Sequence, residues 1–501
     1  MTAPIAIVDL FSGPGGLGEG FASIRRADGT RAFRIAVSIE KEASAHRTLR
    51  LRAFLRQFNR HPAEYASFLK GALEPDWPRL YPEQWQRAEH EAQCLELGKE
   101  ATWQLLEDRI ATIEASGVQK TLLIGGPPCQ AYSLVGRARN ASKMGYDPKL
   151  DSRNFLYEEY CRVLTRLKPS MFVMENVKGI LSSSVAGQHV FTAVINDLEQ
   201  AGYHLCALTG GKRLDGRPDP KDFILRAEEH GVPQSRHRVI IVGMRRDLDL
   251  RDRPVLRRAN ERVTVGETIG AMPSLRSGLS RDDSVEAWID AVANAVGLVE
   301  GSFDPGHLPR PSVFRNALNR TAASMHEIAG RGRDLSSGRR TAESLPDALQ
   351  AWILGAADGA LPGHSTRGHM PEDLARYLFA AAWAEATGSS PKAADFPSEL
   401  APKHRNWTSG KFSDRFRVQL SDQPASTVTS HISKDGHYFI HPDPAQCRSL
   451  TLREAARLQT FPDDYVFLGN RTEQFVQVGN AVPPWLARQI AEALLHLYDR
   501  I

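Results

Sequence analysis

Cys129 is the residue of this chain best placed by its neighbours for nucleophilic chemistry. It lies in LLIGGPPCQAYS, residues 122–133, where an apolar run, two glycines and two prolines precede it. A cysteine that only fills space lies within an apolar run, whereas Cys129 opens a long polar loop. Prolines restrict the backbone, and α/β proteins bind their ligands at the carboxyl ends of strands. This context predicts a nucleophile held at a sheet edge, with a packing role as the alternative.

Two more segments carry charged side chains beside strand-like runs. FVMENVKG (172–179) places Glu175 in apolar surroundings, where a carboxylate can share a proton near neutrality or form a buried salt bridge. PQSRHRVIIVG (233–243) places Gln234, Arg236 and Arg238 at alternate positions, hence on one face of a strand. Because arginines beside an apolar strand must be paired, we expect anionic or carbonyl partners for both.

The N-terminal stretch IAIVDLFSGPGGLGEGF, residues 5–21, has the pattern of a cofactor-binding loop. Gly13, Gly15 and Gly18 satisfy G-x-G-x-x-G, and the acidic residue Glu40 follows about twenty positions later. The pattern predicts a ligand that carries adenosine. It does not distinguish a nicotinamide cofactor from another adenosine-bearing molecule, because both have ribose hydroxyls for the acid to bind.

The elements that position these residues are short, β-branched apolar runs that alternate with helix-like stretches in the first half of the chain. This alternation predicts a doubly wound, mostly parallel sheet buried on both faces, hence the α/β class. A polar insert interrupts it at about 50–120. The predicted strands are 5–11, 33–40, 121–126, 171–177 and 238–244.

The pattern changes after about residue 248, where Gly, Ser, Pro and Arg become frequent. We expect a second, loop-rich domain there, a kind of surface that often serves recognition. Within it, 371–386 has a helical pattern. The residues that follow Thr451 form a short amphipathic helix capped by that threonine, and Pro483 with Pro484 introduces a C-terminal helix.

Two polar segments of this second half have less distinct signals. QPASTVTSHISKDGHYFIHP, residues 423–442, is interpreted as a hairpin with Asp435-Gly436 near its turn. His364, Arg367 and His369 lie together in GHSTRGHMPEDLARY. Too few metal ligands accompany them for a zinc site, so we expect a polar loop or a DNA contact.

Composition limits the class of protein but not its partner. The 501 residues are 42% hydrophobic and 24% charged, with a net charge of +4, as in ordinary globular proteins. No apolar run reaches the roughly 18 residues of a membrane span, no export signal is visible, and the five cysteines are scattered. We therefore expect a cytoplasmic protein with reduced thiols. Lysine is absent between Lys221 and Lys392, which favours phosphate contacts by arginine, although GC-rich coding gives the same bias.

Six motifs, in this order, resemble those of the DNA (cytosine-5)-methyltransferases. They are spread through 1–245 and 424–501, and 249–415 falls where that family has a variable recognition region. The motifs are DLFSGPGG, GGPPCQAYS, ENVKG, QSRHRVIIVG, RSLTLREAARLQTFPDDY and VGNAVPP.

The resemblance implies a mechanism for the residues singled out above. The Cys129 thiolate adds to C6 of a cytosine flipped out of duplex DNA. Glu175 binds ring N3 and the exocyclic amine, Arg238 binds the O2 atom, and Arg236 supplies part of the positive field that the thiolate needs. The loop that starts at Ala131 closes over the DNA and offers phosphate ligands, namely Ser133, Arg137 and Arg139.

The same resemblance identifies the adenosine-bearing ligand as S-adenosyl-L-methionine, with S-adenosyl-L-homocysteine as product and no metal. Phe11 lies against the adenine side, Glu40 binds the ribose hydroxyls, and the glycines approach the methionine part. The family's acid for the adenine amine is left open, because the segment around Asp108 has a helical pattern. The cofactor-side positions are Asp9, Phe11, Ser12, Gly13, Gly15, Gly16, Glu40, Leu156, Asn480 and Ala481.

The resemblance also implies a domain division. Residues 1–248, with the insert and the C-terminal helix 475–501, form the catalytic domain. Residues 249–474 form the target-recognition domain and hinge, with a variable core at about 249–415. We expect a monomer of bacterial or phage origin, not bound to membranes, that acts on double-stranded DNA, with a restriction nuclease or other defence proteins as possible partners.

Three alternatives remain at this point. One is an RNA (tRNA) cytosine methyltransferase on the same scaffold. The second is an inert DNA-binding relative, which the intact set Cys129, Glu175 and Arg238 disfavours. The third is a nicotinamide oxidoreductase that uses the glycine loop.

Overall fold

The protein is built around one twisted sheet, seen here in a computed structural model. The strands of the sheet and the smaller β-pairs are β1 Ile5–Leu10, β2 Phe33–Glu40, β3 Ala92–Cys94, β4 Thr121–Gly125, β5 Met171–Val177, β6 Ser184–Val185, β7 Gln188–His189, β8 Tyr203–Cys206, β9 Ile224–Arg226, β10 Gln234–Ser235, β11 His237–Arg245, β12 Gly278–Leu279, β13 Gly368–His369 and β14 Ala425–Ser426. The structure describes residues 3–128, 155–185, 188–210, 218–248, 252–328, 330–332, 344–402, 407 and 414–501.

Helices cover the sheet and fill the second half of the chain. The α-helices of the described residues are α1 Gly16–Ala22, α2 Ala43–Leu55, α3 Ala63–Leu69, α4 Trp77–Leu80, α5 Pro82–Glu91, α6 Glu100–Ala115, α7 Phe155–Leu167, α8 Val190–Gln200, α9 Val265–Ile269, α10 Val285–Ser302, α11 Pro311–Ser324, α12 Asp347–Leu354, α13 Pro371–Thr387, α14 Leu452–Leu458, α15 Arg471–Asn480 and α16 Pro484–Tyr498.

The sheet has the order β3-β2-β1-β4-β5-β11-β8, with β9 also paired to β11. All five strands expected from the sequence are present within a residue or so of their expected ends. The pairs of β1 with β2 and β4, and of β4 with β5, are parallel. Strand β11 runs antiparallel to β5 and β8. This mostly parallel α/β architecture confirms the expected fold class.

Alternation along the strands gives the sheet two buried faces. In β1, Ile5 and Ile7 point to the face covered by α1 and α16. Ala6, Val8 and Leu10 point to the opposite face, which α6, α7 and α8 cover. Since both faces are buried, the central strands are mostly apolar. The polar residues of β1 and β5, namely Asp9, Glu175 and Asn176, lie towards the carboxyl ends of these strands.

The C-terminal segment returns to the sheet as two helices rather than one. Residues 475–501, given as the C-terminal helix of the catalytic domain, comprise the end of α15 and all of α16, which begins at Pro484 as the two prolines predict. Helix α16 places Leu486, Ile490 and Leu494 in the same apolar cluster as β1. Gly20 of α1 lets the two helices touch, because a Cβ there would collide with Ala487 and the Pro484 carbonyl.

The region at about 50–120 contributes to the sheet as well as covering it. Strand β3 pairs in parallel with β2 at the sheet edge, and α6 leads back to β4, so part of the stretch is a crossover. Before β3, helices α3, α4 and α5 bury a separate aromatic cluster that includes Tyr65, Trp77 and Trp85. The helix expected around Asp108 is present as α6.

The second half of the chain has its own apolar cluster. Helices α10, α11 and α13 pack together through Trp288, Phe314 and Phe379. Helix α13 extends one residue beyond the expected 371–386. Thr451 caps α14 as expected: its Oγ1 accepts from the Glu454 amide at 3.2 Å, and the Glu454 carboxylate accepts from the Thr451 amide.

Two expectations for this half were wrong. The segment 423–442 does not form a hairpin: β14 pairs in parallel with β10 instead, and Ser430–Ser433 is a short 3-10 helix. The backbone of this segment is bound by distant side chains, which local turn chemistry does not reveal. His364 and His369 are buried, which does not suit the DNA contact considered for this polar segment. Their partners include the Thr451 hydroxyl for His364 and the Ser449 hydroxyl for His369.

No helix among the described residues is long and apolar enough to cross a membrane.

Candidate active site at the carboxyl edge of the sheet

Glu175 and Arg238 form an ion pair at the junction of β5 and β11. The Arg238 Nε atom lies 2.9 Å from Glu175 Oε1, and both side chains are mostly buried, at 16% and 14% exposure. The register aligns Ile240 with Glu175 and Val177 with Arg238, so the two charged residues are diagonal neighbours on one face. The anionic partner expected for Arg238 is therefore Glu175, and the salt-bridge interpretation of Glu175 is confirmed.

The end of β4 is fitted closely against this pair. A Cβ on Gly126 would lie 2.9 Å from Glu175 Oε2, so glycine permits the approach. Asn176 Nδ2 donates to the Pro127 carbonyl at 3.1 Å. The described part of this segment ends at Pro128, two residues after Gly126. Cys129, Ser133, Arg137 and Arg139 all lie outside the described residues, so their positions stay predictions.

Arg236 is buried at 2% exposure and binds main-chain carbonyls. Its Nη1 donates to Val428 O at 2.8 Å and to Gly479 O at 3.3 Å, which are the carbonyl partners expected from the sequence. Burial lowers the pKa of this guanidinium, and Arg238 lowers it further. Arg236 thus connects β11 to the segment before α14 and to α15. Its contribution to the field at Cys129 stays a prediction.

The glycine loop rests on the end of β2. The Ser12 amide donates to Ile39 O at 3.1 Å, and the Gly13 amide donates to Glu40 Oε2 at 2.8 Å. The other oxygen of Glu40 accepts from the Glu42 amide at 2.7 Å. Burial raises the pKa of the Glu40 carboxyl. The acidic residue and the loop, twenty-seven positions apart, therefore form one unit.

The C-terminal motif closes this loop from the other side. A Cβ on Gly16 would collide with Val482 O and come within 3.4 Å of Ala481 Cβ, so the helix start can approach only because residue 16 is glycine. By contrast, a Cβ on Gly13, whose φ is +57°, would meet no atom within 4 Å. The loop is thus in close contact with the C-terminal motif at Gly16, whereas space remains beside Gly13.

The remaining cofactor-side positions differ in accessibility. Phe11, with φ of 58°, is partly exposed, as is Leu156 at the start of α7. Asn480 ends α15 and is exposed, whereas Ala481 is buried. Phe11 and Leu156 both pack against the apolar cluster on the α6–α8 face of the sheet, so one partly exposed apolar surface borders the loop.

Asp9 is the least accessible of the predicted cofactor residues. It is 1% exposed, and neither carboxylate oxygen has a hydrogen-bond partner within the described part of the chain. A Cβ on Gly18 would lie 3.0 Å from Asp9 Oδ2, so the carboxyl group faces α1. Burial raises the pKa of Asp9 to about 8.

The raised pKa of Asp9 makes a prediction for stability. The folded protein keeps a proton that the unfolded chain releases near pH 4, so this carboxyl lowers the free energy of unfolding as pH rises to about 8, by at most about 1.4 kcal/mol per pH unit. Asp9→Asn should remove that decline. Urea unfolding between about pH 5 and about pH 8 measures it. An exposed control, Asp108→Asn, should parallel the wild type, and a parallel curve for Asp9→Asn would contradict the assignment.

Gln234, Asn176 and Tyr465 are the residues of this site to which sequence reasoning gave no role. Gln234 is fully buried, donates to Leu458 O and accepts from the Val428 amide; its alternation with Arg236 was the available signal. Asn176 follows Glu175 directly. Tyr465 donates to Pro14 O, a contact across 451 positions for which the sequence carries no local signal.

No group of three or more His, Cys, Asp or Glu side chains suited to a metal ion occurs among the described residues.

Comparison with known proteins gives the class first. A crystal structure of a protein described as a DNA modification methyltransferase encoded within a prophage (E. coli) covers 99% of this chain and of its own, with a TM-score of 0.51 and 19% identity. This likeness shows that the chain shares the fold of that protein.

The sequence comparisons then give the family. The model of the C-5 cytosine-specific DNA methylases matches residues 100–292 and 373–496. Type II methyltransferase M.Bpa9945I of Bacillus paralicheniformis is 32% identical over 97% of this chain and 98% of its own length. DNA (cytosine-5-)-methyltransferase M.ApeKI of Aeropyrum pernix is 25% identical over 77% and 83%. The chain belongs to the C-5 cytosine-specific DNA methylase family and is an enzyme of the DNA (cytosine-5-)-methyltransferase type.

Proposed function

We propose that this enzyme transfers a methyl group from S-adenosyl-L-methionine to C5 of a flipped-out cytosine at a specific site in double-stranded DNA. The observation that carries the proposal is the Glu175–Arg238 pair, which lies against Gly126, three residues before Cys129. Family membership supplies the reaction class. The pair supplies, at one place, an acceptor and a donor suited to the edge of a cytosine.

The glycine loop fits the proposed cofactor. Glu40 presents a carboxylate already oriented by two backbone amides, which suits ribose hydroxyls. The open space above Gly13 leaves room for a ligand to approach the backbone, while Phe11 and Leu156 offer an apolar surface for adenine. When bound, S-adenosyl-L-methionine supplies the methyl group from its sulfonium and leaves as S-adenosyl-L-homocysteine.

The protein's own residues activate the base. The thiolate of Cys129 forms a bond to C6, and electron density moves towards C5, N3 and O2. A proton shared between Glu175 and N3 neutralises the charge on N3, Glu175 also accepts from the exocyclic amine, and Arg238 donates to O2, so both residues stabilise the adduct. C5 then forms its bond to the methyl carbon. Loss of the C5 proton to a base and breakage of the bond between sulfur and C6 regenerate Cys129 and leave 5-methylcytosine.

The region 249–415 is proposed to recognise the DNA sequence, with Ser133, Arg137 and Arg139 as phosphate ligands. Arginine suits both phosphates and guanine edges. Several relatives are named type II methyltransferases, and this supports a role beside a restriction nuclease in a bacterial cytoplasm. We propose that the enzyme acts as a monomer.

Transfer of tritium from labelled S-adenosyl-L-methionine tests the substrate. We expect label in duplex DNA and none in matched tRNA; label in RNA alone would replace the proposal with the RNA alternative. Bisulfite sequencing of DNA from an expressing host that lacks other methylation should show 5-methylcytosine at one recurring sequence. Binding of NAD that S-adenosyl-L-methionine does not displace would favour the oxidoreductase alternative.

A further inference from the structure

One buried tyrosine hydroxyl group binds the backbone of the glycine loop. Tyr465, which is fully buried, donates from its hydroxyl to Pro14 O at 2.5 Å. Pro14 lies between Gly13 and Gly15, which both have positive φ, +57° and +98°. A Cβ on Gly15 would lie 3.1 Å from the Tyr465 hydroxyl oxygen. The phenol therefore contacts the loop at Pro14 and Gly15, whereas a Cβ on Gly13 would meet no atom within 4 Å.

Tyr465 is itself fixed by charged groups of the catalytic half. The Arg52 guanidinium lies 4.4 Å from the centroid of its ring, a cation–π distance. Arg52 also pairs with Glu19 of α1 at 2.5 Å and donates to Asp464 O at 3.3 Å. Burial raises the pKa of the Tyr465 hydroxyl, so this group remains a protonated donor.

The backbone of Tyr465 is fixed from the other half of the chain. Arg453 of α14 donates to Tyr465 O at 2.6 Å and to Pro462 O at 2.8 Å. The Asp463 amide donates to Ile353 O at 2.7 Å, at the end of α12. Segment 461–465 thus connects a helix of the proposed recognition region to the glycine loop, and the phenol of Tyr465 makes the last contact.

We propose that Tyr465 is a positioning residue for cofactor binding, whose hydroxyl holds Pro14 so that the loop 13–16 keeps the conformation that accepts S-adenosyl-L-methionine. This inference rests on the proposed function of that loop. Without the hydroxyl, the buried Pro14 carbonyl loses its donor, and the loop must be ordered by the cofactor itself. The cost then appears in cofactor affinity rather than in the methylation of bound DNA.

The test compares two tyrosines. Tyr465→Phe removes the hydroxyl that binds Pro14. Tyr65→Phe removes an equally buried hydroxyl that donates to Asp464 O at 2.5 Å and does not touch the loop. By calorimetry with S-adenosyl-L-methionine, Tyr465→Phe should raise Kd about tenfold, equivalent to about 1.4 kcal/mol. Its KM for the cofactor should rise similarly with kcat within about threefold, whereas Tyr65→Phe should leave both Kd and KM unchanged.

The outcomes are distinguishable. If the wild-type enzyme does not bind S-adenosyl-L-methionine, the proposed function fails and the inference fails with it. If the wild type binds and Tyr465→Phe binds equally well, or both variants weaken binding alike, only the inference is overturned. If Tyr465→Phe does not fold, the inference is tested instead by hydrogen exchange on the wild-type enzyme. Added cofactor should slow exchange in 461–467 as well as in 13–19, and unchanged exchange in 461–467 overturns the inference.

Discussion

Replacing Glu175 with glutamine should lower kcat by about a hundredfold or more while cofactor affinity changes by less than about threefold. The carboxyl group pairs with Arg238 at 2.9 Å, and in the proposed mechanism it shares a proton with ring N3 as negative charge develops on the ring. A glutamine amide has nearly the same shape but cannot hold or share that proton. It leaves the mostly buried Arg238 without its counter-ion, and the loss falls on the transition state. Single-turnover methylation with saturating cofactor measures the effect.

A second carboxylate beside the same strand provides the control. Glu228 is buried and lies 2.7 Å from His237, the residue before Arg238. Glu228→Gln therefore removes a carboxylate that lies next to β11 and leaves the Glu175–Arg238 pair unchanged. We expect kcat of this variant to stay within about threefold of wild type. Equal turnover of Glu175→Gln and wild type would remove Glu175 from the mechanism.

Cys129→Ser should abolish methylation and leave DNA binding intact. An alcohol has a far higher pKa than a thiol and does not provide an anion able to attack C6, so we expect a loss of about a thousandfold or more. Duplex DNA that contains 5-fluorocytosine should form a lasting covalent complex with the wild-type enzyme, because fluorine at C5 cannot leave as the proton does. The variant should form no such complex. Denaturing electrophoresis measures the complex.

Cys94, the exposed cysteine of β3, provides a matched control, because its replacement by serine is the same change of sulfur to oxygen. Cys94→Ser should methylate DNA and form the covalent complex as the wild type does. If Cys129→Ser fails to fold, the cysteine has a packing role, the alternative considered from its sequence context. A covalent complex with Cys129→Ser would identify another nucleophile.

The sequence predicts the sheet well because each strand carries its own signal. Runs such as 171–174 are apolar at every position, as burial on both faces requires. The requirement that buried arginines be paired also predicts the partners of Arg236 and Arg238 by type, although not by identity. The glycine loop and Glu40 meet because the loop follows β1 and the acid ends the adjacent strand β2.

Long-range contacts explain what the sequence does not predict. Segment 423–442 has the turn residues of a hairpin, but its backbone is bound by Gln234 and Arg236, nearly two hundred positions away. Tyr465 and Pro14 are 451 positions apart and meet only in the folded state, so no local pattern predicts their contact. His364 and His369 have the composition of an exposed loop, and only their buried partners Thr451 and Ser449 reveal otherwise.

The packing of α16 against α1 also constrains the order in which the enzyme matures during synthesis. Gly20 and the apolar side of α1 meet residues 484–498, which are synthesised long after α1. Until then, the helix that follows the glycine loop has one side in water, and Ala481 and Val482 are not yet available to close the loop at Gly16. We therefore expect a growing chain to be inactive until residues 484–498 have been made, and two separately expressed parts divided before residue 475 to regain activity only when mixed.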